Sequence, residues 1–449
     1  MSTHLKKGLL SAAVVTSLMF GSTAALAAPA RHSSAPSTED ALTALADSLA
    51  WKDGTLATYS EVSTKVRAAI EELDRSARPI PQKPGYRASL QRLEQESDYL
   101  AQLAGQPGYA NGVLDSVMFL KGSLAEWKFA VEQIRDGLYE RSTVRPATPG
   151  VSTAPEVGPR TAAGTVFQDL GGGPDMVVIP TGSFTAGATD EEQSAWDVPA
   201  NRRDFETPRR TVTIKEHLAF GRTEVTVGQF RQFIRETGYQ PRGGARWWNP
   251  ADPSAMVFNP ELSWDSPGFP QSENDPVVAV TVADAKAYTA WLSARTGESY
   301  RLPTEDEWDF AAHGGATTPF FFGEDLNHAD EYANTFDKSS KATNGFGWDN
   351  TPVDDGFPYT APVASFKPNG FGLYDVTGNA REFVADTWLR DLSGASNDGS
   401  IHRGPAPFPV LRGGAWNYQP QNLRLAYRSA YFSSETATNM FGFRLVRDL

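Results

Sequence analysis

The chain has 449 residues, 40% of them apolar, which is enough to bury a large core and to build two or three domains. Its formal charge of −13 excludes a general nucleic-acid binder, which needs a basic face, and its 11 Trp, 14 Tyr and 25 Phe exclude disorder over most of its length. It contains no cysteine, and this excludes disulfides, thiolate metal sites and cysteine nucleophiles.

Lys6 and Lys7 precede an apolar run, Gly8 to Phe20, that ends in Ser-Thr-Ala-Ala-Leu-Ala. The pattern predicts a secretory signal over residues 1–27, cleaved after Ala27, and hence a periplasmic or secreted protein. The run is too short for an anchor, and no later stretch approaches the roughly 18 apolar residues of a membrane span, so none is expected after cleavage.

Residues 37–142 carry helical periodicity. The stripes are Leu42, Leu45 and Leu49; Val62, Val66, Ile70 and Leu73; Tyr86, Leu90, Leu93, Leu100 and Leu103; then Val113, Val117, Leu120, Leu124, Trp127, Val131, Ile134 and Leu138. Separated by Gly/Pro turns, they predict a small antiparallel bundle, whose seams are either its own core or a docking face for another protein. The segment has no histidine, so a histidine-ligated iron site inside it is set aside. Residues 143–164 are rich in Pro, Ala, Thr and Gly without periodicity, which reads as a linker.

Residues 165–449 read as a second domain. Strands are expected at Met176 to Pro180, Gly182 to Gly187, Arg210 to Ile214, Val410 to Trp416 and Gly442 to Val446. Three helix starts share one signal, a threonine followed three residues later by an acceptor: Thr226 with Gln229, Thr281 with Asp284, Thr304 with Glu307. Between the last helix and the terminal strands lies a long Gly/Asn/Asp/Pro-rich region, so the domain reads as irregular α+β, with loops that need something to hold them. Within it, Asn369 to Phe383 places Asp375, the carbonyls of Gly378 and Ala380, and Glu382 within eight residues. Such oxygen donors on a flexible loop suit calcium; on spacing alone, a turn with solvated acids fits equally.

The succession MVVIPTGSFTAG, RTEVTVGQFRQFI, PVVAVTVADAKAYTAWLSARTGESYRLPTEDEWDFAAHGG, PNGFGLYDVTGNAREF, VLRGGAW and GFRLV, in order from Met176 to Leu449, resembles the sulfatase-modifying factor family. This is the formylglycine-generating enzyme domain, shared with ergothioneine-synthase and pyoverdine-maturation relatives. The resemblance implies an irregular fold related to C-type lectins with two calcium ions. It carries one site onto Asp375, Gly378, Ala380 and Glu382, and the other onto Asn334, Thr335, Asp355 and Phe357.

The family's copper(I) centre does not carry over, so no copper is expected. It uses two cysteines shortly after a GGS motif, and soft thiolates select that ion. Here RGGAWNYQPQNLRLAYRS has Ala415 for the serine and Asn417, Tyr418 and their neighbours in the cysteine region, while Arg381 and Phe383 replace two family tryptophans. The ergothioneine-synthase branch fits poorly too, because its iron-binding histidines lie in an N-terminal bundle. The expected groove holds Arg381, Trp416, Tyr418, Arg424, Tyr427, Arg428 and Tyr431, with Trp247 and Trp248 nearby. Aromatic and guanidinium groups suit a peptide or a planar acidic ligand; the alternative is that they fill the core and bind loop carbonyls. His217, His313, His328 and His402 form a transition-metal site only if folding gathers them.

Two functions follow. One is an exported calcium-binding protein that takes a peptide, protein or glycan in the groove and docks a partner through its bundle. The other is a tailoring oxidoreductase resembling the pyoverdine-maturation proteins, with formylglycine generation by a cysteine-free mechanism as a minor variant. No set of side chains forms a convincing acid, base, nucleophile or redox centre, Tyr418 and Glu382 being weak candidates, so catalysis is left open.

Overall fold

Among the described residues, the apolar stripes of the N-terminal region become four helices: α1 (Thr38–Leu49), α2 (Ala57–Arg75), α3 (Lys83–Ala104) and α4 (Leu114–Arg135). The computed structural model describes residues 37–49, 57–76, 83–104, 114–136, 157–249, 252–431 and 433–449. The signal segment 1–27, most of the linker, and Val113 and Leu138 of the fourth stripe lie outside them. Leu45, Val66, Leu90, Leu100, Trp127 and Val131 are fully buried, as helical spacing requires when one face of each helix meets its neighbours. α1 packs on α2 and α4, and α2 on α3. No helix among the described residues is long and apolar enough to cross a membrane.

The remainder is built on two small sheets and two hairpins. β1 (Val166–Phe167), β2 (Met176–Val178), β5 (Leu218–Gly221), β8 (Tyr300–Arg301) and β13 (Val446–Asp448) form an antiparallel sheet in the order β1-β2-β5-β13-β8. The C-terminal strand thus lies inside the sheet, paired with β5 and β8. β9 (Arg381–Thr387), β10 (Pro409–Arg412), β11 (Ser429–Ala430) and β12 (Phe441–Gly442) form a second sheet in which β12 runs parallel to β9. The single terminal strand expected over Gly442 to Val446 is therefore two, split between the sheets because Phe443, Arg444 and Leu445 bridge them. The hairpins are β3 (Gly182–Ala186) with β4 (Arg210–Ile214), and β6 (Ala245–Asn249) with β7 (Asp252–Asn259).

Five further helices cover the sheets: α5 (Asp190–Ala195), α6 (Val227–Thr237), α7 (Val282–Thr296), α8 (Glu305–His313) and α9 (Lys338–Asn344). α6, α7 and α8 start on full capping boxes at Thr226, Thr281 and Thr304, and each ends on a left-handed glycine, Gly238, Gly297 and Gly314. The threonine hydroxyl accepts the N3 amide while the N3 side chain accepts the cap amide, so two otherwise unpaired donors are satisfied together. Residues 157–164, the described end of the linker, lie against the first sheet: Val157 is buried and the Gly164 amide donates to Val178. Ser37–Leu449 forms one compact unit, so the helices rest directly on the irregular domain.

Candidate functional site

The loop from Asn369 to Ala380 is tied down by its own side chains. The Asn369 amide donates to the carbonyls of Ala311 and Ala312 at the end of α8, while its Oδ1 accepts the amides of Phe371 and Leu373. Asp375 (φ 57°), Gly378 (φ 82°) and Asn379 (φ 52°) are left-handed, a conformation that Asp, Asn and Gly adopt at least cost. At Gly378 a Cβ would collide with the carbonyl oxygen of Asn334. Asn379 completes this crossing: its amide donates to Asn334 O at 2.8 Å, and Asn334 Nδ2 donates to its Oδ1 at 3.1 Å. The two sets of carried-over calcium ligands are therefore adjacent parts of one assembly. Gly378→Ala is expected to lower stability by roughly 2–4 kcal/mol, read as a drop in Tm; an unchanged Tm would show that the crossing is not tight.

Around Asn334, its Oδ1 is buried without a partner, and Asp355 and Asp337 lie side by side. Asp355 accepts the amides of Thr335 and Phe357, yet burial, reinforced by Asp337, pushes its carboxyl up to about 7. Around Asp375, Oδ2 accepts the Ala364 amide, while Oδ1 and Glu224 Oε2 meet no N–H donor among the described residues and the two carboxyls hydrogen-bond to each other. Burial, with neighbouring carboxylates, pushes Asp375 up to about 6 and Glu224 well above the usual carboxylate range. Glu382 is held differently: Arg444 grips both of its oxygens, and Trp308 Nε1 donates to Oε2 at 2.6 Å. One guanidinium thus faces three carboxylates, Glu224, Asp375 and Glu382.

Buried acids without enough donors, beside unpaired amide oxygens, fit a hard cation. Among the described residues, side-chain carboxylates and imidazoles alone form no three-ligand cluster. Any ion here would therefore draw also on carbonyls, as the carried-over sets with Thr335, Phe357, Gly378 and Ala380 suppose. Glu224 was not singled out from the sequence; its signal was an acid directly before Val225 and the helix cap Thr226, in the strand-to-helix step RTEVTV.

The groove residues separate into three groups. Arg424 is buried against Glu192 (2.9 Å) and Glu206 (2.5 Å). Arg428 is buried against Glu305 through two bonds of 2.7 and 2.8 Å and donates to the carbonyls of Phe205 and Leu389. Burial opposes charge on Glu305, but Arg428 and Arg412 outweigh it and hold that carboxyl at about 2. These two arginines knit the core together, and the pocket they line with Tyr427, beside Val198 and Phe205, holds only about 10 Å³.

Arg381 forms the second group, with Tyr418, Tyr427 and Tyr431. It is 1% exposed, donates to Tyr418 Oη and Leu411 O at 3.0 Å, and lies 5.1 and 4.9 Å from the ring centres of Tyr418 and Tyr427. No carboxylate pairs with it among the described residues, so aromatic faces take that place. Burial lifts the phenols of Tyr418 and Tyr431 above their ordinary value.

Trp416 stands apart from that cluster. It packs edge-on to Tyr359 and Phe269, at 5.3 and 5.8 Å, and with Trp247, Trp248, Phe346 and Asn439 lines a cleft of about 80 Å³. Of these residues, the donor Trp416 Nε1 and the acceptor Asn439 Oδ1 are buried and find no partner among the described residues. Roomier depressions, of about 420 and 260 Å³, are lined by Arg222 and Tyr374 and by His313 and Phe184. There Arg222 bonds Tyr374, and His313 bonds Asp309. The histidines are dispersed: His313 sits by Asp309, His328 by Glu331 and His402 by Asp306.

Residues 163–449 match the sulfatase-modifying factor enzyme 1-like domain. The formylglycine-generating enzyme of Mus musculus is 30% identical over 311 residues, covering 61% of this chain and 75% of that protein. The inactive C-alpha-formylglycine-generating enzyme 2 of the same species is 33% identical over 263 residues, covering 50% and 74%. Among solved structures, PvdO from Pseudomonas aeruginosa superposes with a TM-score of 0.53 at 31% identity, covering 64% of this chain and all of that one.

Proposed function

The chain belongs to the sulfatase-modifying factor family, and from that premise we propose that it is a binding member of the family, working outside the cytoplasm. Its irregular domain would be held by calcium and would take a peptide segment at the Trp416 cleft. A copper-thiolate centre is out of reach of a chain without cysteine. The observation that carries the binding reading is the cleft's aromatic wall, in which Trp247, Trp248, Phe346, Tyr359 and Trp416 surround a space of about 80 Å³. An aromatic or aliphatic side chain of a peptide would fill that space. The calcium reading rests on the unpaired oxygens of Asn334, Asp375 and Glu224.

The test is fluorescence anisotropy of the full chain against a library of labelled octapeptides enriched in aromatic residues. Trp416→Ala is expected to weaken the best binders by roughly 30-fold or more, the effect of removing a buried aromatic anchor. If no peptide binds the parent, or if the variant binds equally well, the cleft is not the site.

A second reading, a tailoring oxidoreductase, draws on the superposition with PvdO along the whole of that chain. Oxygen consumption by the purified protein in the presence of candidate peptides separates the two: a binding protein consumes none.

A further inference from the structure

We propose that the N-terminal helices act in cis as a gate on the Trp416 cleft, α4 holding the β6–β7 hairpin, and with it Trp247 and Trp248, where it walls the cleft. The inference rests on the cleft being the binding site.

The contacts run in sequence from helix to cleft. On α4, Phe129 meets Phe258 of β7 with ring centres 5.3 Å apart, Gln133 Nε2 donates to Arg242 O, and Glu126 pairs with Arg246 of β6 at 2.7 Å, both ends fully buried. Trp247 and Trp248 follow Arg246 directly and line the cleft. On their far side, Arg246 exchanges backbone bonds with the loop after β11, its amide donating to Ala437 O and its carbonyl accepting the Asn439 amide. That loop is gripped by the same helices. Trp127 Nε1 donates to Ser433 Oγ, the Ser434 amide donates to Glu96 Oε1 at 2.6 Å, Arg92 pairs with Glu435, and Thr436 Oγ1 donates to Glu126. The loop ends on Asn439, which is itself part of the cleft. Both the tryptophan wall and the Asn439 acceptor are therefore set by where the helices sit.

The chemistry of this seam favours a contact that can open. At this seam Glu96, Glu126 and Glu435 are buried, and Glu96 Oε2 and Glu126 Oε1 find no partner among the described residues. Buried polar atoms without partners are costly, so a seam that holds them opens at less cost than one that is fully paired. The helices lie outside residues 163–449, the part that matches the family, so the gate is an addition to the common domain.

Amide hydrogen exchange on the full chain, read by mass spectrometry, tests this in Glu126→Ala and in the milder Glu126→Gln. Exchange over residues 245–259 and 433–439 is expected to rise roughly tenfold in the alanine variant, and less in the glutamine variant, with β2 and β5 unchanged. A rise confined to α4 would show that the hairpin stands without the helix and would overturn the gate. So would a rise that spreads through β2 and β5 in both variants, since helices and domain would then open only as one body. No ligand enters this measurement, so a failure to find a binding peptide would leave its outcome standing.

Discussion

Chelation with EGTA is expected to lower the Tm of the full chain by roughly 8–16 °C, and calcium, rather than magnesium, is expected to restore it. An ion held at about 1,000 times its Kd stabilises the folded state by about 4 kcal/mol, and 1 kcal/mol moves the Tm of a domain this size by roughly 2–4 °C. The motive is the electrostatics of the Asp375 loop. Glu224 and Asp375 hydrogen-bond to each other, each with one oxygen that no N–H donor reaches among the described residues, Glu382 is close by, and Arg444 is the cation they share. Calcium accepts irregular oxygen sets that mix carbonyls and carboxylates, whereas magnesium demands a near-octahedral shell and gives up its waters reluctantly.

Glu224→Gln sharpens the expectation. Burial, with Asp375 and Glu382 beside it, pushes the Glu224 carboxyl well up, so without calcium its charge is disfavoured and the isosteric amide should not lower the Tm in EGTA. With calcium the same variant should lose much of the added stability, because a charged ligand is gone. Equal Tm in EGTA and calcium for the parent, or full rescue by magnesium, would remove calcium from this fold.

What could be read in the sequence follows from the range of each signal. Thr281 and Asp284 cap their own helix three residues apart, and Leu42, Leu45 and Leu49 mark one face of one helix, so neighbours in sequence carry the information. The loop around Asp375 was legible for the same reason, its donors lying within eight residues. Arg424 and Arg428 read as groove cations because their acids, Glu192, Glu206 and Glu305, are far away in the chain. Glu224 was hidden likewise, since only folding brings it to Asp375. The seam between helices and domain left a fainter trace: the third stripe passes from Leu93 to Leu100 over Glu96 and Ser97, and Glu126 sits beside Trp127 on the fourth. An acid filling a gap in an apolar stripe signals a polar partner on another element, though not which one.

Glu96 also sets the second large effect. Between about pH 5 and pH 8 the parent is expected to lose a few kcal/mol of stability, while Glu96→Gln shows a visibly flatter profile. Burial, and to a lesser degree Glu435, push the Glu96 carboxyl up to about 8, against the opposing pull of the Ser434 bonds and of Arg92. In the unfolded chain the same carboxyl ionises near its ordinary 4.5. Between these values the unfolded state has released its proton and the folded state has not, so stability falls as pH rises through this window and levels off above it. The full span corresponds to a few kcal/mol for a wholly buried group.

His313 and His402 are raised as well, and their contribution is likewise lost as pH rises, so the parent alone cannot isolate Glu96. The difference between parent and Glu96→Gln can, because both keep the histidines. Parallel profiles would mean that Glu96 is already ionised in the fold and paired with Arg92, which lies one turn earlier on α3. A flattened variant profile would mean that the carboxyl receiving the Ser434 amide is neutral below pH 8, so that alkali loosens the loop ending at Asn439 before it loosens the sheets.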